Sequence, residues 1–188
     1  MTPPGPRTAL TATWRSLIEA TTRRTPNTLA ALATVTPSGA PRLRSVILRA
    51  CDPEAGTVAF ATDARSAKVA EIAAEPRVAM TFWDDGTGVQ IRLDGRATPA
   101  DAGESHRRWA ALGVRTRRGY GSPSDPGRPL APGEEPAGPD AEEHWSGRFA
   151  WIEVRVDRID RLDISTDPHE RTVLSRTDRG WSGGRVVP

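Results

Sequence analysis

Residues 41–68, PRLRSVILRACDPEAGTVAFATDARSAK, constrain the fold more than any other stretch. They read as strand, turn, strand and helix start. Arg44 and Arg49 bracket the apolar run Val46-Ile47-Leu48, residues 52–56 form a turn, and a second apolar run ends in Phe60-Ala61-Thr62. Asp63-Ala64-Arg65-Ser66-Ala67-Lys68 then opens a helix. Such a hairpin gathers cationic and hydroxyl groups at one corner. A helix N-terminus presents unpaired backbone N–H groups and a positive dipole end, Ser66 can add a hydroxyl there, and Lys68 adds a charge in the first turn. Arginine can clamp phosphate oxygens in bidentate fashion, so Arg44 or Arg49 at the same corner would complete a site for a phosphate. Lys68 is the sole lysine in a basic complement of 26 Lys and Arg residues, which marks it out mildly. The alternative is that Ser66 is an ordinary cap and Lys68 a solvated helix residue.

The rest of the chain is mostly strand. Residues 8–23 carry Leu10, Trp14, Leu17 and Ile18 at helical spacing, an amphipathic helix. Residues 28–36 and 41–51 are apolar runs joined by Pro37-Ser38-Gly39-Ala40, a hairpin; 57–62 is a third strand and 66–74 a short helix stopped before Pro76. Strands follow at 77–83 and 89–98, where Gln90, Arg92 and Asp94 alternate with Val89, Ile91 and Leu93, and a helix at 101–112. Its Arg107 and Arg108, with Arg115, Arg117 and Arg118 beyond, read as solvated surface. Residues 119–141 are dominated by Gly, Pro, Ser and acids with little to bury, and predict a long loop. A long strand at 148–162 and a closing hairpin at 171–176 and 181–187 complete the chain, and the aromatic Trp151 and Trp181 on these exposed-looking hairpins motivate an expectation of dimerisation. Many antiparallel strands with few helices imply a mainly β barrel or a strongly curved sheet, in a single domain over 1–188 with 119–143 as its long Pro/Gly-rich loop.

Composition narrows the function. A net charge of +2 with acids and bases interleaved, and no basic run beside stacking aromatics, argues against nucleic acid as a partner. Cys51 is the only cysteine, so there is no intramolecular disulfide, and a reducing, cytoplasmic setting is expected. It follows an apolar strand with no nucleophile motif and reads as a small buried or rim residue. No apolar run approaches a membrane span, and the first ten residues lack the apolar core of a signal peptide. His106, His144 and His169 are scattered, and no metal-ligand cluster is expected.

Taken together, these elements resemble the flavin-binding split-barrel family that includes pyridoxamine 5'-phosphate oxidase, over roughly residues 28–188. Arg44-Ser45-Val46-Ile47-Leu48-Arg49 resembles its Arg-x-Val-Leu-Leu-Lys strand, and Phe60-Ala61-Thr62-Asp63 with Ser66-Ala67-Lys68 its Phe-Tyr-Thr-Asn and Ser-Arg-Lys segments. Val89-Gln90-Ile91-Arg92 followed by Asp94-Gly95 is similar to its Arg-Gln-Val-Arg and Glu-Gly strand. The tail from His169-Glu170-Arg171 through Trp181 to Arg185-Val186-Val187-Pro188 resembles its His-Asp-Arg, Trp and Arg-Leu-x-Pro ending.

The resemblance implies a mainly β, six-stranded antiparallel split β-barrel with a few helices, and FMN at the interface of a homodimer. Arg44, Ser45 with the backbone of Val46, Ile47 and Leu48, Arg49, Thr62, Ser66 and Lys68 would hold it from one subunit, and Gln90 and Arg171 would reach it partly from the other. His169, near Arg171, is a candidate donor to substrate. Arg44 and Arg49 are an odd number of positions apart, so both can serve one ligand only through a twist or bulge, or if FMN lies across the strand edge.

Departures from the family pattern bear on the reaction. Ala67 and Ala61 replace an arginine and an aromatic, Asp167 falls where a substrate-phosphate arginine is expected, and the tryptophan beside the flavin is lost near Leu162-Asp163. Pyridoxamine phosphate is therefore not the expected substrate, since an acid repels a phosphate. The expectation is an FMN-binding flavoprotein, an oxidoreductase acting on a small molecule. The alternatives are a non-catalytic flavin-, deazaflavin- or haem-binding protein.

Overall fold

The computed structural model describes residues 5–23 and 25–188. Helix α1 (Pro6–Thr22) is followed by strands β1 (Leu29–Val35), β2 (Pro41–Asp52) and β3 (Thr57–Asp63), helix α2 (Ala67–Ala74), and strands β4 (Arg77–Asp84) and β5 (Val89–Pro99). Then come α3 (Ala102–Ala110), the short α4 (Val114–Arg117), and strands β6 (Phe149–Asp163), β7 (Glu170–Thr177) and β8 (Gly180–Val186). All strand pairs are antiparallel, in the order β3-β2-β1-β4-β5-β6-β7-β8, and β3 also pairs with β6. That extra pairing closes six strands into a barrel, with β7 and β8 continuing outward from β6.

β6 can serve three neighbours because it is 15 residues long. Its first half lies between β3 and β5, and its second half, from Arg158, lies between β5 and β7. Alternation along it divides two cores. Ala150, Ile152, Val154 and Val156 face the barrel interior with Leu32, Leu48, Phe60, Met80, Phe82 and Leu93. Phe149 and Trp151 face outward and are buried in a second cluster with Ala59, Trp109 and Trp145, against which Tyr120 packs.

Several details depart from expectation. Trp151 is buried at 4% exposure, not displayed on an exposed hairpin. Trp181 is half-buried against Trp14 of α1, ring centroids 6.2 Å apart and edge-on. The Trp151 ring is covered, and the Trp181 ring is partly covered by α1. The arginines beyond residue 106 are only partly solvated surface: Arg108 lies 4.6 Å over the Trp151 ring and Arg117 5.5 Å over Trp109, covering the second cluster. The long loop is irregular as expected, yet its ends are tied. Asp140 N donates to Gly121 O at 3.0 Å, and Arg148 donates to Asp140 through both terminal nitrogens and to Tyr120 O. Arg65 holds the outgoing limb through Ser122 O and Pro123 O.

The β5–β6 register shifts at Gly95, where Asp157 is the extra residue between the partners Val156 and Arg158. A Cβ at Gly95 would lie 2.2 Å from the Arg155 carbonyl oxygen, so the bulge requires a glycine. Gly95→Ala is expected to destabilise the fold by about 2–3 kcal/mol, as overpacking does; chemical denaturation checks this, and an unchanged midpoint would mean the bulge tolerates a side chain.

Candidate functional site

β2 leaves β3 early. Their pairing runs from Leu48↔Phe60 to Asp52↔Thr57, so among the described residues the 44–47 edge of β2 facing β3 has no strand partner. β3 continues alone with β6 to Asp63, and Ala64 N donates to Arg148 O at 2.7 Å before the chain turns into α2. The opening between β2 and β3 is thus bordered by free backbone and by the start of a helix.

Hydroxyls and cations converge there. Lys68 Nζ donates to Thr62 Oγ1 at 2.9 Å, and Thr62 Oγ1 and Ser66 Oγ are 3.2 Å apart, both residues buried. Ser66 is at the N-cap of α2, but its side chain does not cap the helix; Oγ donates back to Asp63 O at 2.6 Å. Among the described residues, the first N–H groups of α2 therefore have no side-chain cap. Burial pushes the Lys68 pKa down and nearby Arg44 adds to this, with Asp63 and Glu71 acting the other way. Asp63 is occupied by Arg65, which donates to it from the backbone N, Nε and Nη2. Two cations close enough to oppose one another, two hydroxyls and an uncapped helix start make a donor set that suits an anion carrying more than one charge.

Arg44 starts on the inner side of β2, opposite the buried Leu32, and turns to the mouth of the barrel that α2 covers. Its Nη2 donates to Glu71 Oε2 at 2.6 Å, and its Nη1 to Thr34 Oγ1, which itself donates to Glu71 Oε2 at 2.5 Å. Burial works against ionised Glu71, but the hydrogen bonds from Thr34 and Arg44 outweigh it and hold its pKa low.

The remaining predicted residues divide by face. Val46 and Leu48 point inward and are buried; Ser45, Ile47 and Arg49 point outward and are exposed. Arg49 is the extra residue of a β-bulge, since Leu48↔Phe60 is followed by Ala50↔Ala59. Alternation puts Arg49 on the outer side with Ser45 and Ile47, where its charge reaches the Tyr120 phenol. Arg44 and Arg49 therefore lie on opposite faces of β2. Gln90 and Arg171 share one cross-strand row through Leu162, on the outer face. His169 is in an exposed turn between β6 and β7. Cys51 packs beside the barrel core, and burial followed by the Asp52 charge pushes its thiol up to about 12, which leaves it unreactive at neutral pH.

The row next to Gln90 carries a second charge centre that the alternating pattern of β6 did not reveal. Asp160 is 1% exposed and accepts from Arg171 Nε at 3.0 Å and Nη2 at 2.8 Å, from Arg92, and from Arg158 at 3.2 Å. Arg171 is thus fixed in a fork. Among the described residues no group of three or more His, Cys, Asp or Glu is arranged to hold a metal, and no helix is long and apolar enough to cross a membrane.

A closed six-stranded antiparallel barrel with a polyanion corner at its split describes a class of cofactor-binding proteins. Residues 11–101 match the family described as pyridoxamine 5'-phosphate oxidase, FMN-binding domain. The pyridoxine/pyridoxamine 5'-phosphate oxidase of Sphingopyxis alaskensis is 33% identical over 174 residues, covering 84% of this chain and 76% of that one. The oxidase of the same name from Gluconobacter oxydans is 33% identical over 198 residues, covering 96% and 93%. Among solved structures, a pyridoxamine 5'-phosphate oxidase-related FMN-binding protein from Nostoc punctiforme superposes with a TM-score of 0.77 at 24% identity, covering 94% of this chain and 96% of the other. PhzG from Burkholderia lata superposes at 0.72 with 21% identity, covering 100% and 95%. The chain belongs to the pyridoxamine 5'-phosphate oxidase family, and FMN is its cofactor. The donor set at the split fits the doubly charged phosphate of that group.

The Asp160 centre has a pH signature. Burial raises its pKa, but hydrogen bonds from Arg171 and Arg92 overcome this and bring it from 3.8 to about 2. A folded-state pKa below the unfolded one contributes stability that is present above about pH 4 and lost as pH falls through about 2. Asp160→Asn is expected to cost about 2 kcal/mol at pH 7, with the gap to wild type closing between about pH 4 and 2. Urea titrations across that range test it; a gap that does not change with pH would mean Asp160 contributes by shape alone.

Proposed function

We propose that this chain is an FMN-dependent oxidoreductase, folded as one domain and working as a homodimer, on a small molecule other than pyridoxamine phosphate. The corner where Lys68, Arg44, Thr62 and Ser66 meet the start of α2 carries this reading. In it, Lys68, Arg44 and the two hydroxyls take the FMN phosphate, the β2 backbone at Val46–Leu48, beside the edge left open at 44–47, lies along the cofactor, and Arg49 at the bulge faces the ring. FMN supplies the redox chemistry, and the protein supplies binding, ring electronics and a shaped space. The substrate assignment rests on charge: Asp167 and His169 lie on the exposed turn beside Arg171, and an acid there disfavours a phosphorylated substrate while His169 offers a hydrogen bond. The lone, half-buried Cys51 supports a reducing compartment, the cytoplasm.

Dimerisation rests on a different surface from the tryptophans. The outer face of β1, β2 and β4 exposes Leu43 at 71%, Leu29 at 55%, Ile47 at 43% and Trp83 at 42%. Ala31, Ala33, Ala79 and Thr81 lie between them as a shallow floor. Gln90 and Arg171 continue this same outer face, while Arg44 begins on the inner one. A second copy seated on this face would bring its Gln90 and Arg171 to the first copy's cofactor.

Titrating the purified protein with FMN and then NADPH or NADH tests the assignment. Flavin bands that shift on binding and bleach with the nicotinamide are expected. Lys68→Ala is expected to weaken FMN by about 1.5–3 kcal/mol, the worth of a hydrogen bond to a charged group, and to leave riboflavin binding unchanged. Tight binding without bleaching would move the assignment to a flavin store or sensor. Leu43→Asp is expected to turn a dimer into a monomer in sedimentation and to lower FMN affinity at least tenfold; a wild-type monomer at micromolar concentration would overturn the shared site.

A further inference from the structure

Glu71 presents a physical puzzle at this corner. Its side chain is only 7% exposed, and its carboxylate is one helical turn from Lys68. A buried charge is costly, and a carboxylate beside a phosphate is repulsive, so Glu71 by itself weakens the binding that Lys68 and Arg44 favour. What it does instead is hold Arg44. Glu71 accepts one Nη2 hydrogen, Thr34 Oγ1 accepts one from Nη1, and the Thr34 hydroxyl donates back to Glu71. The three groups come from β1, β2 and α2, and Thr34 is 2% exposed, so the triangle is anchored in the closed mouth of the barrel. The guanidinium is gripped along one edge. Its Nε–H and the second hydrogen on each Nη remain for a ligand.

We propose that Thr34 and Glu71 are positioning residues for Arg44, fixing its guanidinium in advance so that the cofactor phosphate meets an already oriented donor. The proposal rests on the FMN reading above. A free arginine must lose rotational freedom in several torsions when it clamps an anion, whereas one held by the fold has lost it already. The charge balance also changes: Glu71 offsets part of the positive charge that Arg44 and Lys68 bring, so orientation adds to what charge supplies for the phosphate.

The test separates orientation from charge. Thr34→Val keeps the shape and both charges and removes only the bridging hydroxyl. Dissociation constants are measured for FMN and for riboflavin, which lacks the phosphate. Thr34→Val is expected to raise the FMN value about three- to tenfold, the worth of one hydrogen bond, and to leave riboflavin unchanged. Thr34→Ser, which keeps the hydroxyl, is expected to retain the wild-type ratio. Adding Thr34→Val to Arg44→Ala is expected to cost nothing more, because the positioned group is gone. A Thr34→Val ratio equal to wild type, equal losses for both flavins, or full additivity with Arg44→Ala would overturn the positioning role. Should Thr34→Val fail to fold, Thr34→Ala is read in the same way. If Arg44→Ala and Lys68→Ala themselves leave the FMN-to-riboflavin ratio unchanged, the phosphate corner is wrong and the positioning role falls with it.

Discussion

The pairing of β3 with β6 is the constraint on which this structure depends. It joins Thr57–Asp63 to Phe149–Arg155 across about half of the chain, and without it the six strands would not close. Closure also decides the surroundings of the split. By committing β3 to β6 as far as Asp63, it draws the end of β3 away from β2 beyond Leu48 and leaves the β2 edge open beside Thr62, Ser66 and Lys68. The same strand pair aligns Phe149 and Trp151 on the outside, where a second apolar cluster anchors α3 and both ends of the long loop. Fold and site are therefore two results of one long-range ladder.

Electrostatics at the split follow from this geometry. Asp63 is next to the corner and would neutralise Lys68, but Arg65 takes it up through three hydrogen bonds. Glu71 is engaged by Arg44 and Thr34 in the same manner. Each acid near the corner is thus paired with an arginine that also ties elements together, and Lys68 is left with hydroxyl partners. The outer face repeats the device at Asp160, where one buried carboxylate organises Arg92, Arg158 and Arg171. A barrel with 26 basic and 24 acidic residues does not present uniform charge; it presents a few cations left over by pairing.

Much of this was legible in residue order. The strand periods, the turns at Gly39, Gly56 and Gly88, and the helix beginning after Ser66 all correspond to elements found within a few residues of expectation. The opposite facing of Arg44 and Arg49 follows from strand parity. Other features were not legible. Trp151 reads as an exposed aromatic on an alternating strand, because the cluster that buries it draws Trp109 from α3 and Trp145 from the irregular chain before β6, which no strand period reports. Thr34, Glu71 and Asp160 look like ordinary polar residues, since no local pattern reports that a carboxylate will be enclosed between arginines from other strands. α4 was hidden in the arginine-rich run after Leu112 for the same reason.

By itself the sequence determined the local structure and the chemical types available: antiparallel strands with one apolar face, a helix start bearing Ser66 and Lys68, and arginines at both ends of one strand. Short-range sterics and side-chain alternation suffice for that, because they act over a few residues. Tertiary structure alone decided which of those groups meet. Strand register and barrel closure brought Arg44 to Lys68 and Thr34 and placed Gln90 and Arg171 in one row, since a contact between distant segments depends on how the whole sheet closes.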